Sequence, residues 1–188
     1  MRTRDHEPKL RIIACGALVR ELRAVLGDLP IDVTYLPANL HNRPERIAPA
    51  VAEAAKGADR VVVAYADCGT GGHLAALGYP MLPGAHCYEF FAGADTFAAL
   101  QDGELGTFYL TDFLARHFDA IVWQGLGLDR HPELRDAYFG NYTRVVYLSQ
   151  QHELIDAARS AADKLGLAFE HRPTGLAPFS LAIRSLLV

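Results

Sequence analysis

Three cysteines and one histidine stand just past segments whose apolar pattern reads as β-strand. Cys15 closes Leu10–Ala14, His41 follows residues 31–36 by a short turn, Cys68 follows residues 60–65, and Cys87 follows residues 79–83 by four positions. In an open parallel sheet the carboxyl ends of the strands share one edge, and ligands bind there. Side chains scattered over some seventy positions of sequence are thereby expected to meet. Thiolates from Cys15, Cys68 and Cys87 suit zinc with one replaceable position. They suit equally a [4Fe-4S] cluster with one iron lacking a protein thiolate. No Cys-x-x-Cys knuckle is present, so a reactive centre is expected rather than a structural one. His41 or His86 would be the fourth ligand or the acid–base group. Against this stands a plainer reading, because free cysteine also serves as a small buried hydrophobe.

The loop Cys68-Gly69-Thr70-Gly71-Gly72 is neither a Walker motif nor Gly-x-Gly-x-x-Gly. Its glycines permit positive φ and let N–H groups face an anion. Gly16, Gly69, Thr70, Gly71 and Gly72 are therefore expected to line a bound group, the loop taking the substrate's anionic end. Tight packing of the same turn is the alternative. In Gly106–Thr111 the phenol of Tyr109 is a catalytic candidate, while Thr111 suits an N-cap and Asp112 a first turn. Glu89 reads as a solvated helix carboxylate. His6, His73, His117, His131, His152 and His171 form no i,i+4 ligand pair and receive no role.

These residues need a frame, and the hydrophobic period supplies one. Strands are expected at 9–14, 31–36, 60–66, 143–148 and 167–170. A short or irregular strand is expected near 79–83, where two prolines stand. The nearly unbroken apolar run 60–66 reads as a central strand covered on both faces. Helices are expected over 17–26, over 42–55 with Asn42 as N-cap, and over 89–100 with an interruption at Gly93. Others are expected after a turn at 106–112 and over 132–138, 153–165 and 176–186. Ala120–Trp123 fits strand or buried helix. The alternation predicts an α/β fold, a single-domain three-layer sandwich over residues 1–188 with a mostly parallel sheet.

Composition bounds the partners. With 51% apolar and 21% charged residues the chain is globular rather than disordered. A net charge of -4 and scattered arginines argue against a nucleic-acid surface. No apolar run approaches the roughly 18 residues of a spanning helix, and residues 1–8 lack the apolar core of a signal peptide. A cytoplasmic protein without a membrane partner is expected, its odd number of thiols kept reduced. A homo-oligomer is left open.

The order of the motifs resembles the DUF1638 family. The matching stretches are Ile13-Ala14-Cys15-Gly16, Leu40-His41-Asn42-Arg43-Pro44-Glu45, Tyr65-Ala66-Asp67-Cys68-Gly69, His86-Cys87 with Gly93, and Gly106–Thr111, with Asn141-Tyr142-Thr143 less specific. Family members often carry Gly where Ala66 stands, and Arg and Asp around the His-Cys pair where this chain has Gly84-Ala85-His86-Cys87. The resemblance implies an association with corrinoid-dependent methyl transfer, and so a corrinoid protein as partner. Three functions follow as expectations. The first is a metal-dependent enzyme for a small anionic molecule. The second is a metal-free two-cysteine proton-transfer enzyme, similar to aspartate/glutamate racemases at Cys68-Gly69-Thr70. The third is an accessory protein carrying a cofactor or methyl group.

Overall fold

The computed structural model describes residues 9–151 and 153–188. The expectations for residues 1–8, with His6, and for His152 lie outside them. The chain is α/β, and its strands pair in two three-stranded sheets in which every pairing is parallel. It divides into two compact units, one running to Phe90 and including Ser180–Val188, the other Phe91–Phe179.

The first unit is built on β1 (Leu10–Cys15), β2 (Asp32–Leu36) and β3 (Arg60–Ala64), in the order β2-β1-β3. β1 is central, and it is buried without a break from Ile12 to Cys15. β3 is buried from Val61 to Ala64. It is not the central strand. Its outer edge meets a single bridge, Val63 to Met81, through Val63 N–H to the Pro80 carbonyl at 2.8 Å and Leu82 N–H to the Val63 carbonyl at 3.2 Å. Pro80 and Pro83 have no N–H to extend a ladder, so the strand expected at 79–83 shrinks to that bridge.

Between the strands run α1 (Val19–Leu26), which buries Leu22 and Leu26, and α2 (Ile47–Ala54), which buries Ile47, Ala48 and Val51. Asn42 does not cap α2. Residues 38–42 and 44–46 form short 3-10 turns first, and the helix begins at Ile47. Pro49 then falls in its first turn, where a missing N–H costs nothing. α3 (Cys87–Ala92) ends before Gly93, and α4 (Ala94–Gly103) resumes beyond it.

The second unit holds β4 (Thr107–Leu110), β5 (Arg144–Ser149) and β6 (Ala168–Pro173), in the order β4-β5-β6. β4 replaces the turn expected there; four residues between Gly106 and Thr111 are too few for alternation to register. Thr111 does cap α5 (Asp112–Arg116), its hydroxyl accepting the Leu114 N–H at 3.4 Å. Residues 119–123 form a π-helical turn, which resolves the ambiguity of that apolar run toward helix. α6 (Arg135–Phe139) and α7 (Ile155–Leu165) complete this unit, whose core gathers Leu110, Phe118, Val145, Tyr147, Ala158 and Leu165. α8 (Ala177–Leu187) ends the fold. Among the described residues no helix is long and apolar enough to cross a membrane.

Candidate active site

In the β2-β1-β3 sheet the chain leaves β1 toward β2 on one side and reaches β3 on the other. The carboxyl ends of β1 and β3 therefore flank the point where strand order reverses, the usual crevice for ligands in parallel sheets. Cys15 is the last residue of β1, and Cys68 lies four residues past β3. The charge of Cys15 reaches Cys68 at these strand ends.

The turns are held by close backbone approach. A Cβ on Gly16 would lie 2.8 Å from the Leu36 carbonyl oxygen and 3.2 Å from the Ala38 nitrogen. Only glycine lets the turn after β1 press against the end of β2, and that contact delivers His41 to Cys15. Cys15 Sγ accepts the Ala17 N–H at 3.3 Å and lies 3.7 Å from His41 Nδ1. His41 Nδ1 is also 3.0 Å from the Ala38 carbonyl. A carbonyl only accepts, so Nδ1 carries the proton and Nε2 is the basic nitrogen. That N–H is directed to the Ala38 carbonyl, and the ring lies beside the Cys15 thiol. The His41 ring stacks on Tyr65, with centroids 6.1 Å apart.

Cys68 is the one non-glycine among the described residues with positive φ, at 51°. Such backbone costs of order 1 kcal/mol and persists only where its surroundings impose it. Here the Cys68 N–H donates to the Ala85 carbonyl at 2.8 Å, and the Asp67 N–H to the Gly84 carbonyl at 3.1 Å. These bonds tie the loop after β3 to the segment entering α3, and so bring Cys87 to the other thiols. Glu89 is not merely solvated: Oε1 accepts the Ala85 N–H at 2.7 Å and fixes that segment. His86 Nδ1 is 4.0 Å from the same oxygen, and its ring packs on Tyr88.

All three thiols are reduced and raised. Burial pushes Cys15 up to about 11. Burial, then the charge of Cys15, pushes Cys68 up to about 12. Burial raises Cys87 further, with the charges of Cys68 and Cys15 adding to it. Cys68 thus lies in the field of Cys15, and Cys87 in the field of both. Sequence patterns did not single out Tyr65, which sits beside them, buried to 1% exposure. Its hydroxyl lies against the Cys15 thiol but has no hydrogen-bond partner. An unsatisfied buried polar group costs about 1–3 kcal/mol. The available signal was its position, an aromatic hydroxyl ending an apolar strand three residues before a cysteine.

The glycine loop corrects an expectation. Asp67, within the loop, accepts Thr70 Oγ1–H at 2.7 Å, the Gly72 N–H at 2.8 Å and the Gly71 N–H at 3.1 Å. The Thr70 bond first, then the glycine N–H groups, Gly69's included, lowers its carboxyl below the ordinary range. The cradle expected to take a substrate's anion is filled by the chain's own carboxylate, and Gly69, Thr70, Gly71 and Gly72 shape the turn that carries Cys68. Gly16 likewise acts through packing. Tyr109 belongs to the second unit, where its ring packs on Phe97 with centroids 5.0 Å apart. Among the described residues no three His, Cys, Asp or Glu side chains are grouped so as to hold a metal ion.

A family model matches residues 35–182, which include His41, Cys68, Cys87 and Tyr65. The chain belongs to the DUF1638 family. That family is described as a protein of unknown function. No curated protein and no solved structure matches the chain. What this DUF1638 protein does must therefore be argued from the crevice itself.

Proposed function

We propose that this DUF1638 protein is an enzyme that moves a proton at carbon on a small molecule, using Cys15 and Cys68 as an acid–base pair. The observation that carries the reading is topological: both thiols flank the point of reversed strand order in the first sheet. Cys15 is the better base, because the Ala17 N–H favours its thiolate. Cys68 is the acid, since burial and then the Cys15 charge beside it hold its proton in place. In one turnover the Cys15 thiolate takes a proton from carbon and Cys68 returns one from the opposite side. Net charge is unchanged, and the two thiols have exchanged states.

The test is α-proton exchange in D2O, followed by proton NMR, over a panel of amino acids and 2-hydroxy acids. Exchange that both Cys15→Ser and Cys68→Ser abolish is the expected result. Exchange that survives both substitutions overturns the pair.

A second reading keeps Cys15, Cys68 and Cys87 as ligands of zinc or a [4Fe-4S] cluster, with His41 or His86 completing the set. It is favoured by one observation, that the charge of Cys15 raises Cys68 and the charges of both raise Cys87. A bound cation relieves that mutual repulsion and deprotonates the thiols outright. Elemental analysis after anaerobic purification separates the readings. About one zinc, or about four irons, lost on substituting any of the three cysteines, would favour the metal centre.

A further inference from the structure

Tyr65 is the polar group in the crevice that the two-thiol reading leaves unused. It follows β3 directly, is 1% exposed, and has a hydroxyl with no hydrogen-bond partner among the described residues. Its ring is fixed by stacking on His41, and the hydroxyl lies beside the Cys15 thiol. A thiol is a weak acceptor, and the two groups do not reach hydrogen-bond geometry. A donor held rigidly in a buried site without an acceptor is completed by what binds there.

We propose that the Tyr65 hydroxyl donates a hydrogen bond to a carbonyl or carboxylate oxygen of the ligand, and so selects small molecules with such a group bonded to the reacting carbon. The inference rests on the thiol-pair reading and deepens it. A phenol that keeps its proton can only be answered by an acceptor, which excludes an ammonium group at that position. The same bond strengthens as charge moves onto the oxygen when a proton leaves the neighbouring carbon. Glycines 69, 71 and 72 are committed to Asp67. Tyr65 therefore takes over the recognition that their N–H groups could otherwise have given.

Iodoacetate and iodoacetamide test this with the full chain. Each alkylates a thiolate at its methylene carbon, releasing iodide, and each carries a carbonyl or carboxylate group on that carbon; iodoacetate carries a full negative charge. Rates at Cys15 and Cys68 are followed by peptide mass spectrometry at pH 9 for the wild type and Tyr65→Phe. Glutathione added to each reaction is the reference thiol. The expected result is a fall of about tenfold in the iodoacetate rate at Cys15 or Cys68 for Tyr65→Phe, with a smaller fall for iodoacetamide and no change for glutathione. Thermal unfolding of Tyr65→Phe at the wild-type temperature keeps the result from being structural. Equal rates in the two proteins overturn the role of Tyr65 and leave the thiol pair standing. If neither reagent reaches Cys15 or Cys68 in the wild type even at pH 10, the thiol-pair reading falls, and this inference with it.

Discussion

The carboxyl ends of the two sheets are furnished in opposite ways. In the second unit Asp112, 2% exposed, accepts the Tyr147 hydroxyl at 2.6 Å, the Gln151 N–H at 2.8 Å and the Gln150 N–H at 3.1 Å. Its own N–H goes to Gln150 Oε1 at 2.9 Å, and Ser149 Oγ pairs with His171 Nε2 at 2.8 Å. In the first unit the Tyr65 hydroxyl has no hydrogen-bond partner among the described residues, Cys15 is buried with Cys68 and Cys87 half-buried, and Cys68 is held at positive φ. Strand order separates the two as well: β4-β5-β6 advances in one direction, whereas β2-β1-β3 reverses. A satisfied polar network fixes structure. An unsatisfied one at a reversal of strand order is where binding is to be expected.

That contrast breaks most visibly at Asp112. Asp112→Ala strands a tyrosine hydroxyl and two backbone N–H groups in the interior and should cost about 3 kcal/mol or more, read from the midpoint of urea unfolding. Alkylation of Cys15 in the folded protein should not change. If Asp112→Ala is as stable as the wild type, the network is not what holds this end of the sheet.

Gly16→Ala is the next largest. Its Cβ would enter the space of the Leu36 carbonyl, so a loss of about 1–3 kcal/mol is expected from the strain. The His41 ring should move off Cys15, detectable as a changed His41 imidazole resonance in NMR. An unshifted resonance would show that the glycine does not position His41.

Cys68 should behave in the reverse sense. Cys68→Gly relieves the left-handed backbone and should stabilise the fold by about 0.5–1 kcal/mol while abolishing proton exchange. Cys68→Ala keeps the strain and should show no such gain. A destabilised Cys68→Gly, measured by the same unfolding assay, would mean that the side chain packs better than its backbone suffers.

The remaining effect is on pH dependence. Thiols ionise near 9 in the unfolded chain, but near 11 for Cys15 and 12 for Cys68 in the fold. Between those values the folded state keeps protons that the unfolded state has released. Stability is therefore full below pH 9 and falls as pH rises toward 11 and 12. Cys15→Ala/Cys68→Ala should flatten that decline in unfolding midpoints taken from pH 8 to 11. An unchanged slope would remove burial as the cause.

Much of this frame was legible from local pattern. The β-branched runs at Leu10–Ala14, Arg60–Ala64 and Arg144–Leu148 announce themselves, as does the interruption at Gly93. The cysteines stand where strands end because a strand's end is a local signal. β4 was not legible, since four residues give no period, and α2 began later than Asn42 because 3-10 turns fill the gap before Ile47.

For the site itself, the sequence determined which reactive side chains exist and that Cys15 and Cys68 follow strands. Only the tertiary structure decided that β1 lies between β2 and β3, which brings the strand ends that carry those two thiols to the point of reversed order. It alone decided that Asp67 occupies the glycine loop and that Tyr65 is left without a partner. The reason is physical: strand formation follows from neighbours a few residues apart, while pairing order and hydrogen-bond satisfaction depend on residues tens of positions away.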